Sequence, residues 1–221
     1  MNNDLTEIAF ILDSSGSMLA LAQPAIDGFN SFLGDQLAAP GQARLSLALF
    51  NHDYSLPVAS LPLEDVRELT PATYRPSGTT ALLDAIGRTI DDLGKRLANM
   101  PENERPGHIV VAIFTDGLEN SSTDYTLAQV QSLITHQTEK YNWEFLFLAA
   151  NQDALATAAR MGIPEKSAST IEFSHEGLAS STEAFSSSIR ESRSMLSECG
   201  TVAREEKVAL SEEYEASRKR R

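Results

Sequence analysis

One cysteine, Cys199, stands in 221 residues, so no intrachain disulfide can form and no cysteine-based zinc site can be assembled, which fits a reducing compartment. The four histidines, His52, His108, His136 and His175, show no metal-ligand spacing and read as ordinary surface or boundary residues. Basic residues are short as well: 18 Lys and Arg face 31 Asp and Glu, a formal net charge of −13. Residues 204–221 hold 5 acids and 6 bases, so residues 1–203 alone carry −14 and the surplus belongs to the body of the chain. Nucleic acid, which needs a basic patch or stripe, is excluded as a partner; the only basic cluster is Arg218 to Arg221. No run approaches the ~18 apolar residues of a membrane span. The first twelve residues carry Asp4 and Glu7 and lack a basic leader, and the apolar run 8–12 is too short for a signal sequence core. The expectation is a cytoplasmic protein.

What is present is a globular composition, 42% hydrophobic and 22% charged, at a length near the upper end of what one core supports. Four apolar runs, 8–12, 45–50, 109–114 and 145–149, are nearly continuous, as strands covered on both faces are. Helical candidates lie at 19–37, 81–100, 125–140 and 153–161, with Ile86, Ile90, Leu93 and Leu97 spaced at three and four. Alternating strand and helix predict an α/β domain with a doubly wound, mostly parallel sheet. Residues 55–63, with Pro57 and Pro62, read as an edge strand or extended loop, and 168–173 as a sixth strand. Residues 177–196, with Leu178, Phe185, Ile189 and Leu196, suggest a final amphipathic helix, its Ser180 to Ser188 cluster a solvated face. The domain is placed at 1–198 and a charged tail or helix at 199–221.

At the exit of the first strand the chain reads Asp13-Ser14-Ser15-Gly16-Ser17, three oxygen side chains on alternate positions with a glycine that permits close backbone approach. Alone, this spacing reads as a helix cap. A later strand ends in Thr115-Asp116-Gly117, and Ser77-Gly78-Thr79-Thr80 opens a helix. In a sheet ordered 3-2-1-4-5-6 the first and fourth strands are neighbours at the switch point, so Asp13 and Asp116 face one another across the crevice. Asp, Ser, Ser, Thr and Asp form an all-oxygen set, which favours a hard cation, Mg²⁺ or Mn²⁺, over zinc or copper and supplies too few carboxylates for Ca²⁺.

Asp13-x-Ser15-x-Ser17, Thr79 after Gly78, and Asp116 before Gly117 resemble the metal-ion-dependent adhesion site of the von Willebrand factor type A domain. The resemblance covers residues 5–196. It implies a Rossmann-like, six-stranded, mostly parallel sheet with one short antiparallel edge strand and helices on both faces. It further implies Mg²⁺ or Mn²⁺ on Asp13, Ser15, Ser17, Thr79 and Asp116, with an open position that accepts a carboxylate from a protein partner. Thr80 competes with Thr79 for its role. The stretches 116–122 and 147–154 look similar to small stand-alone bacterial members, in which an adaptor role in a stress or conflict-response complex is expected.

Glu119, Asn120 and Asp124 read as surface loop, His52 and Asp53 as a solvated loop, and Trp143 as a core aromatic. An enzyme is the weaker reading. A Mg²⁺-dependent phosphatase using Asp13 as nucleophile needs a second acid two residues on, where Ser15 stands. No Gly-x-Ser-x-Gly elbow, phosphate loop or Gly-x-Gly-x-x-Gly occurs.

Overall fold

The four apolar runs become strands roofed on both sides by helices, as a stretch with no polar face requires. The computed structural model describes residues 1–116, 118–149, 152–164, 167–170, 186–187, 189–190 and 193. Among these, β1 (Asn2–Asp13), β2 (Gln42–Phe50), β3 (Tyr54–Pro62), β4 (Pro106–Thr115), β5 (Glu144–Ala149) and β6 (Ala168–Thr170) form one sheet, ordered β3-β2-β1-β4-β5-β6. Every adjacent pair is parallel except β2 with β3. This is the expected architecture, antiparallel edge included. The prolines sit on that edge strand, where a missing amide proton costs no ladder bond.

Strand direction alternates side chains between two cores. Ile8, Phe10 and Leu12 of β1 join Val110, Ala112 and Phe114 of β4 on the face covered by α1 (Ala22–Ala38), where Phe10 meets the Phe29 ring edge-on at 5.4 Å. Ala9 and Ile11 join Val111 and Ile113 on the opposite face, under α2 (Leu82–Asn99) and α3 (Leu127–Tyr141). The three-four spaced Ile86, Ile90, Leu93 and Leu97 are all buried there, each contributing roughly 1.5–3 kcal/mol. A short helix α4 (Gln152–Arg160) precedes β6.

Element ends differ from the sequence reading for local reasons. β1 begins at Asn2 rather than near residue 8, because its polar first turns still pair: Leu5 lies opposite Gln42 and Thr6 opposite both Ala43 and His108. The first helix does not start at residue 19. Gly16–Leu21 forms a tighter 3-10 turn, and α1 follows it. α3 opens on a reciprocal Thr126–Gln129 capping box and ends at Asn142 in the left-handed region, φ 55°, which turns the chain so that Trp143 is buried just ahead of β5, a core aromatic as expected.

Charge also enters the interior. Glu7 is 1% exposed and accepts from Ser46 Oγ (3.1 Å), Ser60 Oγ (2.8 Å) and Arg96 Nη2 (2.7 Å). Ser60, with φ 51°, forms part of an irregularity in the β2–β3 register that brings β3 to that carboxylate.

Ser186, Ser187, Ile189, Arg190 and Arg193 are helical, and Ser186, Ile189 and Arg193 are buried. Ser186 is therefore not on a solvated face: its carbonyl and hydroxyl accept from Gln36 of α1 at 3.0 and 3.1 Å. Arg193 donates to the carbonyls of Gln36 (2.7 Å) and Gly41 (2.9 Å), closing the carboxyl end of α1. Leu178, Phe185, Leu196, His175, Cys199 and the expected tail lie outside the described residues.

Candidate metal centre

The site is assembled by three connections at the carboxyl end of the sheet. Pairing of β1 with β4 places Leu12 opposite Phe114, so the next residues, Asp13 and Thr115, meet: Thr115 Oγ1 donates to Asp13 Oδ2 at 2.6 Å. Ser14 turns away and bonds Phe50 through both amide and hydroxyl. The Ser15 amide returns to Asp13 Oδ1 at 2.7 Å. The chain is thus folded back on its own carboxylate, and Ser15 and Ser17 project together, Oγ to Oγ 3.0 Å. Ser17 Oγ then donates to Asp116 Oδ1 at 2.8 Å, across 99 residues of sequence.

The second connection, residues 63–81, is stitched to the first by backbone. Gly16 N–H donates to Gly78 O (3.0 Å) and Ser77 N–H to Ser14 O (2.8 Å), while the buried Tyr74 hydroxyl donates to the Asp13 carbonyl. A β-carbon on Gly16 would stand 3.1 Å from Gly78 O, which explains the glycine between the two serines. At Gly78, φ 74° strains any side chain, and a β-carbon there would displace the His52 ring. Thr79 is exposed on this turn and Thr80 is buried. His52 and Asp53 are solvent-facing, as expected, with ring and carboxylate 3.4 Å apart.

Beyond Asp116 the chain runs as the expected surface loop, exposed at Asn120 and Asp124, and Glu119 within it is half-buried and pins it down. Glu119 accepts from the amides of Leu83 (2.9 Å), Ser121 (2.9 Å) and Ser122 (2.7 Å) and from the Ser122 hydroxyl. Asn120 Oδ1 accepts from Thr80 N–H, and Asn120 N–H donates back to Thr80 O. Asp84, in the first turn of α2, reciprocates by accepting from the amides of Thr123, Asp124 and Tyr125. Asp124 pairs with Arg88. The loop after β4 is therefore clasped to the start of α2, and the strand end bearing Asp116 is held against the turn bearing Thr79 and Thr80. Nothing in the residue pattern announces this, because most of the partners are backbone amides 36–41 positions away.

Asp13 is fully buried, Ser15 and Asp116 nearly so, and Ser17 is exposed at the mouth. Burial pushes the Asp13 carboxyl up to about 6, against the opposing pull of the Thr115 hydroxyl and the Ser15 amide, with Asp116 adding a smaller repulsion. Burial raises Asp116 as well, with the Ser17 hydroxyl opposing it. Two sequestered acids side by side are stabilised by positive charge. The donors also converge: Ser15 Oγ lies 3.0 Å from Ser17 Oγ and Ser17 Oγ 2.8 Å from Asp116 Oδ1, so these oxygens stand close enough to be shared by one small, hard cation. Among the described residues no three His, Cys, Asp or Glu side chains cluster, so a nitrogen-sulfur site of the zinc type is not built here.

No protein-family model matches the chain, and no curated protein matches it in sequence. Solved structures do. Proximal thread matrix protein 1 from the mussel byssus, with a zinc-occupied metal-ion-dependent adhesion site, is similar over 81% of this chain and 46% of its own, at TM-score 0.59 and 12% identity. A von Willebrand factor type A protein from Catenulispora acidiphila covers 82% of this chain and 41% of its own, at 0.55 and 15%. The manganese-loaded TRAP protein of Plasmodium vivax covers 81% and 72%, at 0.52 and 16%. The chain spans about half the length of the first two. At these identities the likeness establishes the fold: the chain has the architecture of a von Willebrand factor type A domain.

Proposed function

We propose that this chain is a non-enzymatic, metal-dependent protein-binding module. Asp13, Ser15, Ser17, Asp116 and a threonine hydroxyl of the 78–80 turn hold one Mg²⁺ or Mn²⁺, and a partner protein supplies a carboxylate. The single observation that carries the reading is the 2.8 Å approach of Ser17 Oγ to Asp116 Oδ1, which unites two strand exits into one oxygen cradle. Bound there, the cation supplies a Lewis-acidic position for a further oxygen ligand. The residues do the rest. Asp13 and Asp116 provide the charge, the hydroxyls add donors without further charge, and burial of Asp13, Ser15 and Asp116 beneath the exposed Ser17 and Thr79 leaves the mouth as the route of approach. Support comes also from two structural neighbours: the mussel protein has a zinc-occupied adhesion site, and the TRAP protein is manganese-loaded.

Thr79 is the expected hydroxyl donor. Thr80 rivals it, being buried and fixed through its own amide and carbonyl to Asn120. The domain is proposed to span 1–198.

Thermal unfolding tests the proposal. With Mg²⁺ at about one hundred times its dissociation constant the gain is about 2.7 kcal/mol, a rise of roughly 5–10 °C for a chain of this size. EDTA should reverse it, and Asp13→Ala and Asp116→Ala should abolish it. Of Thr79→Ala and Thr80→Ala, the variant that loses the response identifies the ligand. A wild-type chain indifferent to both metals at millimolar concentration would sink the assignment. Phosphomonoester turnover that requires Mg²⁺ and vanishes in Asp13→Ala would establish the phosphatase alternative instead.

A further inference from the structure

Large apolar side chains left in water are informative here by their position. Five of the seven exposed among the described residues lie away from the site: Met1, Leu37 and Tyr141 at the opposite end of the sheet, and Leu56 and Leu61 on the edge strand β3. The other two are Leu19, 65% exposed, and Leu118, 49% exposed. Leu19 is two residues beyond Ser17 in the 3-10 turn, and Leu118 is two residues beyond Asp116. Ser17 Oγ and Asp116 Oδ1 are 2.8 Å apart. Each leucine therefore lies within about 7.6 Å, Cα to Cα, of a residue that reaches the same point. Met18, between Ser17 and Leu19, is completely buried, so the short turn keeps one apolar side chain for the core and presents the next to solvent.

We infer that Leu19 and Leu118 are the specificity-determining rim of the metal centre, and that the partner is a protein segment whose metal-binding carboxylate is flanked by large apolar side chains. The inference rests on the metal-dependent reading above. An extended segment places residues i and i±2 on one face about 6.6 Å apart, within the two-residue span of about 7.6 Å that separates each leucine from Ser17 or Asp116. Charge complementarity selects the same occupant. With a net charge of −13 the chain as a whole disfavours an acidic segment, and a bound cation reverses that sign locally. Apolar contact is indifferent to that field, so it is the contribution that can strengthen a carboxylate ligand without adding repulsion. A basic partner, drawn to the acidic body, would have no use for a metal centre.

The test uses the full chain with Mg²⁺ and three synthetic peptides: acetyl-Leu-Ser-Asp-Ser-Leu-amide, its counterpart with serine in place of both leucines, and its counterpart with asparagine in place of aspartate. Mg²⁺ affinity is first measured by calorimetry, and peptide affinities then follow from NMR titration. The leucine peptide should bind about tenfold more tightly than the serine peptide, and the asparagine peptide should not bind measurably. The double variant Leu19→Ser/Leu118→Ser should bind Mg²⁺ as the wild type does yet no longer distinguish leucine from serine. Equal affinity for the two acidic peptides, or binding of neither, in a chain that holds Mg²⁺ overturns the rim while leaving the metal centre standing. Undiminished binding of the asparagine peptide overturns it too, since the apolar contacts would then act without the carboxylate. If the wild type takes up no Mg²⁺, the underlying reading fails and the rim with it.

Discussion

At the end of β1 the Asp13 carboxylate has no contact with solvent, and burial lifts its pKa from 3.8 to about 6 although a hydroxyl and an amide donate to it. A carboxyl with a higher pKa folded than unfolded binds its proton more tightly in the folded state. Its neutral form therefore stabilises the fold below about pH 4, and that contribution is lost as pH rises through about 6. In EDTA, the wild type should lose up to about 3 kcal/mol relative to Asp13→Asn between pH 4 and 7, at 1.36 kcal/mol per unit of pKa difference. Urea midpoints at each pH measure the gap, and a gap that stays flat means that the buried charge is not felt. The stabilisation given by Mg²⁺ should grow over the same interval, because proton and cation compete for one carboxylate. Asp13, Ser15, Ser17 and Asp116 were legible because they follow apolar runs at spacings that bring oxygens together. Glu7 was not: a lone acid inside a strand pattern gives no hint that Arg96 and two serines converge on it.

The loop from β4 to α3 is the element on which alignment of the centre depends. Glu119 and Asp84 together accept seven hydrogen bonds, six of them from backbone amides, and they tie the loop to the first turn of α2. Acids near a helix amino terminus also complement its dipole. Glu119→Ala should leave three amides short of an acceptor, at a cost of about 1–3 kcal/mol, and should weaken Mg²⁺ binding about tenfold by loosening Asp116 against the 78–80 turn. Glu119→Gln, retaining one acceptor oxygen, should fall between the two. Calorimetry on the three proteins checks the order, and unchanged Mg²⁺ affinity in Glu119→Ala would show the clasp to be structural only. Sheet order, strand cores and helix faces were readable from apolar runs and three-four spacing. The polar first half of β1 and the 3-10 entry to α1 were not, since pairing partners and turn closure decide them rather than local pattern.

For the whole molecule, the acidic surplus seen in composition resolves into three roles. Among the described residues a few acids are enclosed, at Glu7, Asp13 and Asp116; a few gather backbone amides, at Asp84 and Glu119; the others described are largely surface charge. The same scale governs how the two ends of the chain are joined. Arg193 contributes hydrogen bonds to Gln36 Oε1 and to the carbonyls of Gln36 and Gly41, all at the end of α1. Arg193→Met should leave those buried acceptors unsatisfied and cost about 2 kcal/mol, a fall of roughly 4–8 °C in Tm by calorimetry, with Mg²⁺ affinity unchanged because the centre lies at the opposite end of the sheet. A drop in Mg²⁺ affinity instead would reveal coupling between the two ends. That guanidinium is 157 positions downstream of the helix it completes. On a ribosome adding about 5–20 residues per second, the last carbonyls of α1 must stay bonded to water for about 8–30 s before their donor has been synthesised.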